Sequence, residues 1–286
     1  MENISLRNLD NLADRVRLHH QGDPRNVVIV EGVSDERTLQ RSFPDGNIVY
    51  FPAGSRPVAL EAAQKLTLWR QGYFICVVDR DFDDEVANLS RSNSKMPLHP
   101  YDNADLEGML TVAGAASDLV SELGSSEKIA NLGGVQKVVQ KTLSLIDPIS
   151  RLRRANYENG WGLAFDKVEI YSKIDRKIFT LKMQPYCAAL DSTSDQSPGQ
   201  AVLLEYANGT RNLKAAPKCP RGTSPYFRGR DFLGALSAAL CGYCGSKRPQ
   251  SVDTEHLASV LRLAGSDHLR RGSWGEEFAQ LISVQN

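Results

Sequence analysis

The chain reads as an α/β protein: a parallel β-sheet flanked by helices, followed by a mostly helical C-terminal part. Three observations predict this. Val27-Val28-Ile29-Val30 and Ile75-Cys76-Val77-Val78 are uninterrupted apolar runs, which suit strands buried on both faces. A further apolar run at Ile48–Phe51 lies between them, separated by stretches of helical spacing. The resulting order, β-α-β-α-β, requires parallel strands joined by right-handed crossovers.

Taken in order, residues 4–20 predict a helix with Leu6, Leu9, Leu12 and Val16 as its apolar stripe. Gly22-Asp23-Pro24 ends it, and the first strand follows at Val27–Val30. A second helix is expected from about Ser34, its cap, to Phe43, with Asp35 and Glu36 in the first turn. After the turn Pro44-Asp45-Gly46 and the strand Ile48–Phe51, a third helix should bury Val58, Ala62, Leu66 and Trp69 and stop at Gly72. Gly54-Ser55-Arg56, just before it, offers backbone N–H groups and a cation to a phosphate, a weak signal alone. Tyr73–Val78 is the third strand, and Ser90–Pro100 reads as a polar, mobile loop.

Residues 111–158 read as mostly helical, with Arg151, Arg153 and Arg154 best explained as a solvated helix face. Trp161–Leu190 mixes strand and helix signals without a single assignment, and Asp191–Gly199 reads as a loop. Helices at roughly 230–243, 253–264 and 274–284 finish the chain. The expected division is 1–112, a metal-binding domain, and 113–286, a basic, mostly helical region for substrate or partner.

Composition sets the class. Hydrophobic residues make up 41% and charged residues 24%, ordinary for a globular protein. No apolar run reaches membrane-spanning length, Met1-Glu2-Asn3 does not begin a signal peptide, and five scattered cysteines suit a reduced compartment, so a cytoplasmic protein is expected. The net charge is zero but uneven. Residues 1–110 hold 12 Lys and Arg against 17 Asp and Glu; the remainder holds 22 against 17. An acidic first part joined to a basic second part suits a phosphate-rich polymer.

The chemistry concentrates at the strand ends. Val78 is followed by Asp79-Arg80-Asp81-Phe82-Asp83-Asp84. In an extended chain Asp79, Asp81 and Asp83 would share one side. Four carboxylates this close repel one another unless some are protonated or a cation sits among them. Hard oxygen ligands of this kind suit Mg²⁺ or Mn²⁺. An EF-hand is excluded, because Asp84 stands where that loop needs Gly and Ser90 where it needs Glu. An acidic turn capping the next helix is the plain alternative. Against it stands Glu31, which ends the first strand before Gly32, in a setting that matches Asp79. Ligands of open parallel sheets gather at such carboxyl ends.

Asp35, Asp105 and Glu107 are further acids within the same part; a helix start capped by Asp105 explains that segment equally well. The candidate metal ligands are therefore Glu31, Asp79, Asp81 and Asp83, with Asp35 and Glu107 of second rank, and Glu31, Asp79 and Asp81 are the candidate catalytic residues. Between Glu205 and Phe232, six basic residues (Arg211, Lys214, Lys218, Arg221, Arg228, Arg230) face two acidic ones, with Tyr206, Tyr226, Phe227 and Phe232 interleaved. That pattern suits backbone contact with base stacking on RNA or single-stranded DNA, and a loop over a core edge suits it as well. Arg80, Lys218, Arg221, Arg228 and Arg230 are the candidate nucleic-acid contacts; for Arg80 a structural ion pair is equally open.

Cys241 and Cys244 have zinc-like spacing, which Cys219 and Cys187 could complete, but buried cysteines explain them better. The five histidines form no metal or triad spacing. Neither a P-loop nor a G-x-S-x-G elbow is present.

An apolar strand ending in Glu31-Gly32 and a second ending in Asp79-Arg80-Asp81 together resemble the Toprim domain of topoisomerases, bacterial primases and OLD-type nucleases. The match covers about residues 25–110 and gives a Toprim-like sheet. Ser34-Asp35-Glu36, the segment Asp105–Leu110 and Phe227-Arg228-Gly229-Arg230-Asp231-Phe232 resemble the small Toprim effectors of the PARIS type, encoded beside AAA/ABC-type ATPases in phage-defence operons. Gly108 departs from the Asn of that group. The resemblance implies a Mg²⁺-dependent nuclease toxin held inactive by an ATPase partner, with RNA, above all tRNA, as target and a homodimer as the active form. Two other readings stay open: a non-catalytic adaptor whose acidic end holds a structural metal, and a housekeeping RNA-maturation nuclease.

Overall fold

The computed structural model describes residues 11–93, 95–220 and 225–284. It is α/β, with a three-stranded parallel sheet flanked by helices and a helical C-terminal region. Leu6, Leu9 and Arg221 lie outside the described residues. The chain divides into two compact units: residues 1–80, 84–101 and 266–286 form the first, and 81–83 with 102–265 the second. The expected boundary at 112/113 falls within the second of these units. The first unit ends sooner and regains the C-terminal segment.

In the first unit, α1 (Leu12–Gly22) starts at Asn11, whose side chain accepts from the Ala13 N–H. Then come β1 (Asn26–Val30), α2 (Val33–Ser42), β2 (Ile48–Pro52), α3 (Arg56–Leu68), β3 (Phe74–Val77) and α4 (Glu85–Ser92). The sheet order is β2-β1-β3, all parallel. Val27 and Ile29 of β1 and Phe74, Cys76 and Val78 at β3 share one core with Leu12, Ala13 and Val16 of α1 and Ala59, Leu60, Ala62, Ala63 and Leu66 of α3. By alternation Val28, Val30, Ile75 and Val77 serve the opposite face. All these strand residues are buried, as apolar runs in a parallel sheet must be.

Three local expectations need correction. α2 is capped by Gly32 rather than Ser34, because Asp35 Oδ2 reaches back to the Gly32 N–H at 3.1 Å. In α3, Val58 and Trp69 are exposed, and the helix stops at Trp69 rather than Gly72, with Arg70 turning left-handed. The segment expected as a loop after Ser90 is held to the sheet: Cys76 N–H donates to Pro97 O, His99 N–H to Cys76 O and Tyr101 N–H to Val78 O. His99 is buried there against Trp274 of the C-terminal helix, ring centroids 4.5 Å apart.

The second unit holds α5 (Leu106–Leu110), α6 (Ala116–Leu123), α7 (Ser126–Asn131) and the long α8 (Val135–Asn159). The unassigned stretch 161–190 contains short 3-10 turns, a two-stranded hairpin of β4 (Ile174–Asp175) and β5 (Thr180–Leu181), and the start of α9 (Met183–Asp191). α10 (Gln200–Ala207) and α11 (Gly229–Ala238) follow, and both pack on α8. α12 (Thr254–Arg271) carries the chain back to the first unit, where α13 (Ser273–Val284) ends it. Among the described residues no helix is long and apolar enough to cross a membrane.

Candidate functional site

The site is built from the carboxyl ends of the strands in the first unit. β1 ends at Val30, with Glu31 next in the chain, and β3 leads into Asp79. Oε1 of Glu31 accepts a hydrogen bond from the Asp79 backbone N–H at 2.8 Å. The Glu31 side chain and the Asp79 backbone are therefore in direct contact. The topology explains why. From β1 the chain crosses to β2 on one side; from β3 it continues to the Pro97–Tyr101 segment on the other. The carboxyl ends of β1 and β3 thus flank a topological switch point, where open parallel sheets bind ligands.

The third strand end contributes a helix start. After β2, the Gly54 N–H donates to Glu31 O at 2.8 Å, with Gly54 at φ 87° as only glycine takes easily. Ser55 and Arg56 then open α3, whose N-terminus carries partial positive charge. Arg56 Nη1 reaches Arg80 O at 3.4 Å and its Nη2 pairs with Glu85 Oε2 at 3.2 Å. The weak phosphate signal at Gly54-Ser55-Arg56 therefore lies beside Glu31. Arg80 donates from Nε to Tyr101 O at 2.5 Å, which fixes its side chain within the unit.

Asp35 has a structural task. Oδ1 accepts from the Tyr101 hydroxyl at 2.9 Å while Oδ2 holds the Gly32 N–H. Its carboxylate shapes the turn after Glu31, and Tyr101, fully buried and 5.3 Å from the Trp274 ring, backs it. The sequence carried no signal for Tyr101, since its partner lies 66 positions away.

The remaining predicted acids belong to the second unit. Asp81 takes a left-handed backbone, φ 49°, so the extended alternation from Asp79 does not carry through it. The turn it opens is clamped: Asp81 N–H donates to Ala104 O, the Tyr226 hydroxyl donates to Asp81 O, and Arg154 Nη1 donates to Phe82 O at 3.1 Å. Asp81 and Asp83 line a cleft of about 310 Å³ with Arg153, Asn156, Tyr157 and Phe165. Glu107 is ion-paired with Arg262. Asp105 caps α5 and accepts from the Gly108 N–H at 2.7 Å and the Gly229 N–H at 2.9 Å. Burial first, then the neighbouring Glu107 charge, push the Asp105 carboxyl up to about 7 against those donors.

Asn103 completes this latch, accepting from the Phe227 N–H at 3.0 Å and donating to Pro225 O at 3.2 Å. Two segments singled out separately, Asp105–Leu110 and Phe227–Phe232, are thus halves of one contact.

The basic residues are mostly spoken for. Arg151 donates to Tyr206 O, Arg154 pairs with Glu158, and Arg153 grips Asp231 through two bonds of 2.6 and 2.7 Å. The expected solvated face is instead an internal tie between helices. Arg228 pairs with Asp166 and Arg230 with Glu255, both at exposed positions, and Lys218 is exposed.

None of the five cysteines takes part in a disulfide. Burial raises Cys187 and Cys244 to about 11. Among the described residues no group of three or more His, Cys, Asp or Glu is arranged to hold a metal ion. Glu31 and Asp79 adjoin through the Asp79 backbone N–H, and Mg²⁺ commonly takes one or two protein carboxylates with water and substrate phosphate completing its shell. The donor set at the strand ends fits that mode.

Comparison with known proteins finds no matching family model, no matching curated relative and no matching solved structure.

Proposed function

We propose that the chain is a Toprim-type, metal-dependent nuclease that cleaves phosphodiester bonds in RNA. The observation that carries the reading is the hydrogen bond from Asp79 N–H to Glu31 Oε1, made at a switch point where the N-terminus of α3 is tied to Glu31 through Gly54. Acidic residues at adjoining strand ends, next to a helix N-terminus and an arginine, are what a phosphodiester hydrolase needs: anionic groups for a divalent ion, and donors for the phosphate oxygens.

Glu31 and Asp79 would hold Mg²⁺ or Mn²⁺. When bound, the ion supplies charge stabilisation to the phosphodiester oxygens. The chain's own groups do the positioning. The Asp79 N–H fixes the orientation of the Glu31 carboxylate. Asp35, held by Tyr101, fixes the turn at Gly32. The Ser55–Arg56 start of α3 orients the substrate phosphate.

By resemblance to AriB-type effectors of the PARIS system, the physiological role is anti-phage defence. An AAA/ABC-type ATPase partner keeps the chain inactive until infection, tRNA is the target, and the active form is a homodimer. The test is sequencing of RNA from cells expressing the chain alone, beside a Glu31→Ala control, with cleavage by purified protein assayed with and without EDTA. Cleavage sites present only with wild-type protein, and lost with EDTA, support the reading. A folded Glu31→Ala variant that cleaves RNA fully and metal-dependently overturns it.

A further inference from the structure

We propose that a cleft at the amino end of β3, walled by Arg70, Tyr73 and Lys95, binds the backbone of single-stranded RNA, with Tyr73 as the ring on which a base stacks. The cleft has a volume of about 340 Å³ and is lined further by Thr67, Gln71 and Pro97, with no acidic residue. Arg70 and Lys95 are exposed, and among the described residues neither makes an ion pair. Arg17, Arg25, Arg56, Arg80 and Arg91 of this unit, by contrast, each have a carboxylate or carbonyl partner. Two unneutralised cations at one cleft present a field for phosphate.

The aromatic side is equally open. Tyr73 is 55% exposed. Trp69, at the end of α3, is 42% exposed, with the Arg17 guanidinium 4.9 Å from its ring centroid. Rings beside cations on a concave surface are the elements by which proteins hold single strands without reading sequence.

Backbone conformation adds an independent argument. Arg70 and Tyr73 both take left-handed φ, 57° and 59°, where glycine would sit without strain. Gly72, between them in sequence, does not. An arginine and a tyrosine thus occupy the two positions where folding alone favours glycine, so the side chains serve something other than folding. The cleft lies at the opposite end of β3 from Asp79, so it is a second contact for the substrate rather than part of the cleaving site. This takes the nucleic-acid reading above as its premise.

The strained backbone supplies a test that misfolding cannot confuse. In full-length protein carrying Glu31→Gln to prevent cleavage, a fluorescein-labelled short single-stranded RNA is titrated by anisotropy. Arg70→Gly/Tyr73→Gly should weaken binding about tenfold or more, with a melting temperature equal to or above that of the parent. Arg70→Glu/Lys95→Glu should lower the slope of log affinity against log salt by about 1.4, from two lost phosphate contacts at about 0.7 each. Unchanged RNA affinity in the glycine double variant overturns the proposal. So does unchanged RNA affinity accompanied by lost binding of an ATPase partner, which would assign the face to protein docking. RNA binding that depends on these residues in a protein that cleaves nothing keeps the cleft and removes the nuclease reading. Cleavage and binding untouched by the substitutions does the reverse.

Discussion

Oε1 of Glu31 accepts the backbone N–H of Asp79 at 2.8 Å, tying the ends of β1 and β3 to each other. Glu31→Gln retains an oxygen acceptor and removes the charge; Glu31→Ala removes both. Both variants are expected to lose RNA cleavage by about 10²-fold or more. Only the alanine variant should also lose about 1–2 kcal/mol in urea unfolding, from the unpaired N–H. Full cleavage by the glutamine variant would show that the charge is not needed.

Asp35 is expected to act through structure. Tyr101→Phe removes a buried hydrogen bond to its carboxylate and should cost about 2 kcal/mol. Asp35→Asn should leave the Mg²⁺ concentration for half-maximal cleavage unchanged. An increase of tenfold or more would return Asp35 to the ligand set.

Gly229 has no room for a side chain. A Cβ there would stand 2.6 Å from Gly108 N and 2.8 Å from Asp105 Oδ1, and would collide with the Glu107 Cβ. Gly229→Ala is expected to destabilise the protein by about 3 kcal/mol or more. A melting temperature within a degree or so of wild type would show that the latch can open without cost.

Asp105 gives the second unit a pH dependence of defined sign. Its carboxyl, buried and beside Glu107, titrates at about 7 when folded, against 3.8 as the ordinary value. Between those pH values the folded state keeps a proton that the unfolded state has lost. The stabilising contribution is complete below about pH 4, declines as pH rises, and is gone above about pH 7. Asp105→Asn keeps an oxygen for the Gly108 and Gly229 N–H groups and removes the titration. Its unfolding free energy should therefore vary less between pH 4 and 7 than that of wild type. A parallel decline in both proteins would assign the effect to another group.

Much of the first unit was legible because a run of four apolar residues has few places to go. Val27–Val30 and Ile75–Val78 had to be buried on both faces, and Glu31 and Asp79 had to follow at their ends. The tasks of the arginines were not legible. Arg151, Arg153 and Arg154 find Tyr206, Asp231 and Phe82 at 55, 78 and 72 positions' distance, and a run of basic residues looks the same whether its partners are water or a buried carboxylate. Nor was the left-handed turn at Asp81 visible, since only the clamp by Ala104, Tyr226 and Arg154 imposes it.

By itself, then, the sequence determined the alternation of strand and helix, the parallel sheet and the acidic ends of two of its strands. These depend on short-range patterning, where burial is set by neighbours two to four residues away. Only the tertiary structure decided what each acid side chain meets: Glu31 the backbone N–H of Asp79, Asp35 the Tyr101 hydroxyl, Glu107 the Arg262 guanidinium. A charged side chain is satisfied by whatever group folding brings within about 3 Å, and that group lies at no fixed spacing along the chain.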